Sequence, residues 1–302
     1  MKEKQVCVLM VAALTMLVVL VGTTVAADSV TYNCSQSCGG KDIPHPFGIN
    51  DTSSDSDCFL GSGRLIPLHC NESQIYAGKN LQVLNIDIFK AEIDVLFHVS
   101  KYCGGHVNRP KLNSGSYTIS SKENKFVTVG NNSYGYYNSY RDENMYSTGC
   151  LTRTYGDQRS IDNGICSGIG CCQVDIPPKM WNISIEAYNF NTSSEFCSYS
   201  FVVRNGSYNF SSTHLSQGLP FERKPVVLDW TIGGFDENCS TASNGINNGC
   251  KKNSYCDDED ADFGYRCHCN TGFKGNPYHP NGCTGQFSYS NFGNLRFFFL
   301  TY

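Results

Sequence analysis

The chain has 302 residues, with 23 Lys and Arg against 27 Asp and Glu, a formal net charge of −4, and only 17% charged side chains beside 13% aromatic ones. That balance lacks the basic excess a nucleic-acid binder needs. It also confines any acidic polysaccharide to a local basic patch or a bridging calcium ion.

The first 27 residues predict a secretory signal peptide. Lys2 and Lys4 form a basic start, an apolar run from Val6 to Val21 is broken only by Thr15, and small residues from Gly22 to Ala27 follow. Cleavage after Ala26 or Ala27 fits the small-residue rule, and an uncleaved signal anchor is the alternative. Removal takes Cys7 with it and leaves 16 of the 17 cysteines. An even number in a secreted chain allows complete pairing in up to eight bridges.

Residues 28–110 open with Cys34, Cys38, Cys58 and Cys70. Ile43-Pro44-His45-Pro46-Phe47-Gly48-Ile49 is forced extended or turned by its prolines, with the apolar residues free to pin it to a core. Leu81–Phe89 and Ile93–Val99 alternate apolar with polar, which predicts two strands joined at Lys90-Ala91-Glu92, with a continuous helix as the weaker reading. Residues 111–233 carry further strand patterns at Phe126–Val129, Cys172–Ile176, Trp181–Tyr188, Cys197–Val203 and Val226–Ile232. No segment shows a long helical stripe. The fold class is therefore all-β and disulfide-rich: two small β-rich N-terminal domains, then a cysteine-rich module over 234–283 and a divergent tail over 284–302. That tail ends in Phe297-Phe298-Phe299-Leu300, too short to span a bilayer or to serve as a GPI signal.

Nine Asn-x-Ser/Thr sequons, at Asn33, Asn50, Asn71, Asn131, Asn182, Asn191, Asn205, Asn209 and Asn238, imply a glycosylated surface. Asn33 and Asn238 precede cysteines directly, which disfavours their use. Ten cysteines lie outside the C-terminal module and permit too many connectivities to choose among. A local pair such as Cys58–Cys70 is one guess. Adjacent Cys171 and Cys172 read as half-cystines with different partners, since a bond between neighbours is strained.

Cys239, Cys250, Cys256, Cys267, Cys269 and Cys283 leave gaps of ten, five, ten, one and thirteen residues, followed through Gly272-Phe273 and Gly275 by an aromatic-Gly turn. Zinc ribbons favour two Cys-x2-4-Cys knuckles, which these gaps do not form. The pattern resembles an EGF-like module, and that resemblance implies the pairing Cys239–Cys256, Cys250–Cys267 and Cys269–Cys283.

Four stretches together resemble the extracellular part of the plant wall-associated receptor kinases. They are Cys38-Gly39-Gly40 leading into Ile43–Ile49, Gly168-Ile169-Gly170-Cys171-Cys172-Gln173, Leu228-Asp229-Trp230, and Gly264-Tyr265-Arg266-Cys267-His268-Cys269 running on to Gly282-Cys283. The resemblance implies a secreted, cell-wall protein whose residues 28–110 bind galacturonan, with homogalacturonan or oligogalacturonides as partners. It places the chain at the plasma membrane if it is part of a longer receptor. The chain has no Gly-x-Gly-x-x-Gly loop after a strand and no His-Arg-Asp, so kinase activity is not carried over. The match stops after Cys283, which suggests a truncated or alternatively spliced ectodomain. An ectodomain that binds a protein or peptide, or a fragment of a full-length receptor kinase, is the alternative.

Galacturonate carries one carboxylate per sugar, so Arg or Lys should pair with it. Lys41, Arg64, Lys101, Arg109 and Lys111 are the candidates, each weighed against being an ordinary surface charge. Tyr134, Tyr136 and Tyr137 could form a sugar platform, with a packed strand edge the favoured reading. No cofactor is expected, and calcium enters only as a bridge to pectin. The acidic runs Asp236-Glu237 and Asp257-Asp258-Glu259-Asp260 with Asp262 read as solvated loops rather than a calcium site. No enzyme is expected. A glycosidase needs two carboxylates at a defined separation, a cysteine protease needs a free thiol, and the seven histidines show no metal spacing.

Overall fold

The computed structural model describes residues 37–49, 68–78, 80–113, 117–141, 144–154, 161–191, 195–234, 236–243, 249–259, 261–285, 287–292 and 295–300. The predicted signal peptide, Asn33, Asn50, Arg64, Cys34 and Cys58 lie outside these residues.

The described chain is built almost wholly of antiparallel strands. A hairpin of β1 (Ser37–Cys38) and β2 (Lys41–Asp42) turns through Gly39 and Gly40. Only glycine fits at 39, where φ is +58° and a Cβ would lie 2.2 Å from the Ser73 carbonyl oxygen. Next, β3 (Leu68–Asn71), β4 (Gln74–Ala77), β5 (Leu81–Asp87) and β6 (Glu92–His98) run as a meander. The predicted turn between β5 and β6 is present, and the helical alternative is ruled out. The Asp87 carboxylate accepts hydrogen bonds from the backbone N–H groups of Phe89 and Lys90, and Ala91 takes φ +55°. The alternation in β6 buries Ile93, Val95 and Phe97.

Two distant strands complete this sheet. β17 (Arg223–Trp230) pairs with β6 in the register Val226 to Val95 and Leu228 to Ile93, and β10 (Tyr117–Ile119) pairs with β17. The six-stranded sheet thus takes strands from both sides of residue 110. One buried cluster, including Phe47, Val95, Phe126, Tyr137 and Trp230, runs through both regions.

Two more sheets pack face to face. One has the order β14 (Cys171–Asp175), β11 (Asn124–Val129), β16 (Ser198–Arg204), β7 (Ser100–Cys103), β8 (His106–Val107). The other has the order β13 (Asn144–Thr152), β12 (Ser133–Arg141), β15 (Trp181–Asn189), β9 (Lys111–Leu112). Part of their interface is made of small hydroxyls. Ser133 Oγ lies 2.6 Å from Ser198 Oγ, and Thr128 Oγ1 lies 3.0 Å from Ser200 Oγ. Buried hydroxyls cost little when paired with one another in this way. Gly135 permits the close approach, since a Cβ there would fall 2.0 Å from Ser200 Oγ.

Seven disulfides cross-link the described residues. Cys38–Cys70 replaces the guessed Cys58–Cys70 pair, because the first hairpin lies against the turn of β3 and β4. Cys103 bonds Cys197, holding β7 to the start of β16. Cys171 bonds Cys166 while its neighbour Cys172 bonds Cys150. Successive residues of a strand face opposite ways, so β14 sends its two cysteines to different partners.

The C-terminal module holds the helical turn Cys239–Ser243 and two short hairpins, β18 (Ser254–Asp257) with β19 (Arg266–Cys269) and β20 (Phe273–Lys274) with β21 (Thr284–Gly285). Its bridges are Cys239–Cys256, Cys250–Cys267 and Cys269–Cys283. Such a module is too small to bury a core of its own, and here it borrows one. Trp230, at the end of β17, meets Tyr278 of the module at 5.3 Å and Phe47 at 5.1 Å between ring centroids. Residues 287–292 (β22) and 295–300 (β23) pair as a final hairpin.

Candidate functional site

The sheet of β13, β12, β15 and β9 has an outer face that is unusually aromatic. Registers place Tyr134 between Leu151 and Tyr188, Tyr136 between Gly149 and Glu186, and Asn138 between Ser147 and Ser184. Tyr134 stacks on Tyr188 with centroids 5.3 Å apart and planes 20° from parallel, and touches Phe190 at 4.6 Å. Tyr136 meets Tyr134 edge-on at 5.6 Å, and Tyr136 and Phe190 are each 44% exposed. Tyr137, one residue on, points the other way into the core against Phe126. The three tyrosines predicted as one run therefore do not share a face: two lie on the outer surface and one is core.

Cationic side chains border the aromatic rings. The Arg153 guanidinium sits 4.4 Å from the Phe190 centroid, within cation–π range. Arg109 donates through Nε to Glu186 Oε2 at 3.0 Å and through Nη2 to the Tyr188 hydroxyl at 3.1 Å. The Tyr188 hydroxyl donates in turn to Glu186, and Asn138 Nδ2 donates to Glu186 Oε1 at 3.2 Å. Lys111 pairs with Ser184 across the sheet and lies exposed on the same face.

The electrostatics follow from these contacts. Bonds from Arg109 to Tyr188 and Glu186 hold the guanidinium pKa above its ordinary value. Burial pushes the Glu186 carboxyl up, but the Tyr188 and Arg109 hydrogen bonds and the charges of Arg109 and Lys111 outweigh it, so its pKa falls. Donation to that carboxylate raises the Tyr188 phenol. Glu186 is thus an anion clamped at the centre of the face. Arg109 and Lys111 also line a neighbouring open cleft of about 710 Å³, whose other wall includes Leu81, Leu96 and His98.

Of the residues proposed from sequence, Arg109 and Lys111 come together here. Lys41 lies exposed on β2, in a different sheet. Lys101 lies on β7 with its ammonium 5.9 Å from the Tyr199 centroid. Arg64 is outside the described residues. Sequence reasoning missed Arg153, Glu186, Tyr188 and Phe190. Their signal was the alternation of Ile183, Ile185 and Ala187 inward with Glu186, Tyr188 and Phe190 outward, but nothing in the chain shows that β12 lies beside β15.

Wall-associated receptor kinase 2 of Arabidopsis thaliana is 32% identical over 266 residues, covering 83% of this chain and 34% of its own length. Wall-associated receptor kinases 1 and 5 of the same plant are 31% and 32% identical, each again over 83% of this chain and 34% of their own. This chain is related to the wall-associated receptor kinases. It spans about a third of the length of these curated relatives. No family model matches it, and no solved structure does.

One tripeptide, Asp262-Phe263-Gly264, has the letters of a kinase metal-binding motif. Here it is a turn of the C-terminal module. Asp262 accepts a hydrogen bond from Thr118 Oγ1 at 2.8 Å, and Gly264, at φ +66°, lets the chain pass the Ile232 carbonyl. The neighbouring acids also have structural partners. Asp258 accepts the Cys239 N–H at 2.9 Å, and Glu237 accepts the Gly234 N–H at 3.1 Å. Among the described residues, no group of three or more His, Cys, Asp or Glu is arranged to hold a metal ion, and no helix is long and apolar enough to cross a membrane. Asn71, Asn191, Asn205, Asn209 and Asn238 are exposed, and Asn131 and Asn182 are half-buried, so none of these acceptors sits in the core.

Proposed function

We propose that this chain is a cell-wall receptor ectodomain that binds acidic polysaccharide, namely de-esterified pectin or oligogalacturonides, on the outer face of β12 and β15. The observation that carries the reading is the surface cluster of half-buried Tyr134 and Tyr188 with exposed Tyr136 and Phe190, beside Arg109, Lys111 and Arg153. A pyranose ring presents an apolar C–H face, which an aromatic ring covers, and a galacturonate also presents a carboxylate, which a guanidinium or ammonium pairs. Both needs are met on one surface in a chain that is acidic overall. The names of its relatives support a cell-wall setting. Calcium is not needed by this arrangement, because side chains supply the cations. The secreted glycoprotein is expected to be retained on immobilised polygalacturonate with or without calcium, and Tyr136→Ala to weaken retention about tenfold. Absence of retention under both conditions sinks the reading.

A further inference from the structure

Among the described residues, β13 is an edge strand. It is nine residues long, pairs with β12 without a register shift, and carries no charged residue and no proline from Asn144 to Thr152. Proteins normally blunt such an edge with lysine, proline or a bulge, because its unpaired N–H and C=O groups template another strand. Among the described residues no strand covers it.

The direction of those groups is fixed twice over. Phe190 N–H donates to Asn132 O at 2.8 Å, so even-numbered residues of this stretch face β15 and odd-numbered ones face β13. The partners of those odd residues, from Thr152 back to Asn144 in steps of two, use their backbone groups on β12. Met145, Ser147, Gly149 and Leu151 therefore point theirs outward. Independently, Arg153 N–H, two residues further, points outward to Gly168 O at 3.0 Å.

We propose that the free edge of β13 is a self-association strand, in which two copies of this chain pair antiparallel about Thr148 and fuse two four-stranded sheets into one of eight. The four outward-facing residues are symmetric about position 148. Under that two-fold axis Met145 faces Leu151 of the second copy and Ser147 faces its Gly149, each pair twice. Met145 and Leu151 are 63% and 56% exposed, so the pairing covers four large apolar side chains. No like charges meet. Gly168 already occupies the place opposite Arg153, which stops the incoming strand at Asn144 opposite Thr152 and selects this register. No sequon falls within β13 itself. A self-complementary, isologous surface of this kind specifies a copy of itself rather than an unrelated peptide. This inference does not depend on polysaccharide binding.

Sedimentation of the full secreted glycoprotein over a concentration series is the test. A reversible dimer is expected. Ser147→Pro removes an N–H that makes no hydrogen bond among the described residues, and it is lost twice per dimer, so dissociation should strengthen about tenfold or more. Ser147→Lys places a charge on the edge without touching the backbone and should act in the same direction, which keeps the test valid if the proline variant does not fold. A chain that stays monomeric at every concentration overturns the proposal. So does a dimer that both variants leave intact, or a monomer that takes up an extended peptide along β13.

Discussion

Asp229 shows how one side chain can set the acid response of the chain. It lies on β17 near the C-terminal module, and burial raises its carboxyl pKa to about 6, against the pull of Ser120 and Arg266 and with help from the negative charges of Asp262 and Glu92. Below about pH 4 both folded and unfolded chains hold the proton. Between about pH 4 and 6 the unfolded chain releases it while the folded chain keeps it, so this residue's contribution declines as pH rises through that window. The loss is at most about 3 kcal/mol, since a tenfold change in a protonation equilibrium is worth about 1.4 kcal/mol. Asp229→Asn should therefore raise the urea midpoint at pH 7 and leave it nearly unchanged at pH 3.5. Equal effects at both pH values would show that the carboxyl is not held neutral. Glu186 presents the opposite case, a carboxyl held ionised by its partners. It neutralises the guanidinium that a uronate would seek, so Glu186→Gln should tighten retention on polygalacturonate severalfold, and an unchanged or weaker retention would assign Glu186 a role in holding Arg109 in place.

Between elements, the contact of the two packed sheets depends on what is missing from β12. Gly135→Ala would drive a methyl into Ser200 Oγ and Thr128 Oγ1, 2.0 and 2.5 Å from the ideal Cβ position. Overpacking of that kind costs about 1–3 kcal/mol, and a variant as stable as the parent in urea would show that the sheets can separate freely. This contact was not legible in the sequence, where Tyr134-Gly135-Tyr136-Tyr137 reads as an aromatic run with an incidental glycine. What was legible was local. The alternation in Leu81–Phe89 and Ile93–Val99 gave both strands and their turn, because period two with β-branched residues fits only a pleated surface. The return of Val226–Trp230 to the side of β6 was invisible, since strand neighbours more than a hundred residues apart leave no mark in either sequence. The same holds for the candidate face. Arg109 and Lys111 could be named as cations, but the rings they border come from β12 and β15, whose adjacency is a property of the fold.

In the whole molecule, the C-terminal cysteine-rich module is part of the core rather than a bead on a string. Trp230 is fully buried between Phe47 of the N-terminal stretch and Tyr278 of the module. Polar ties surround it. Asn276 Nδ2 donates to the His45 carbonyl at 2.7 Å, Arg266 Nε donates to the Trp230 carbonyl at 3.3 Å, and Ile232 and Tyr265 exchange backbone hydrogen bonds at 3.0 and 2.9 Å. A module held by one linker would unfold independently, whereas one that shares its largest aromatic contact with the sheet must unfold with it. Calorimetry of the secreted chain is expected to show a single transition. Trp230→Ala removes the shared side chain at a cost of about 3–5 kcal/mol and should lower the transition and split it, because the disulfides of the module survive the loss while its docking does not. Two transitions in the parent would mean that the module and the sheets unfold independently, and a single undivided one in the variant would mean that something other than Trp230 couples them.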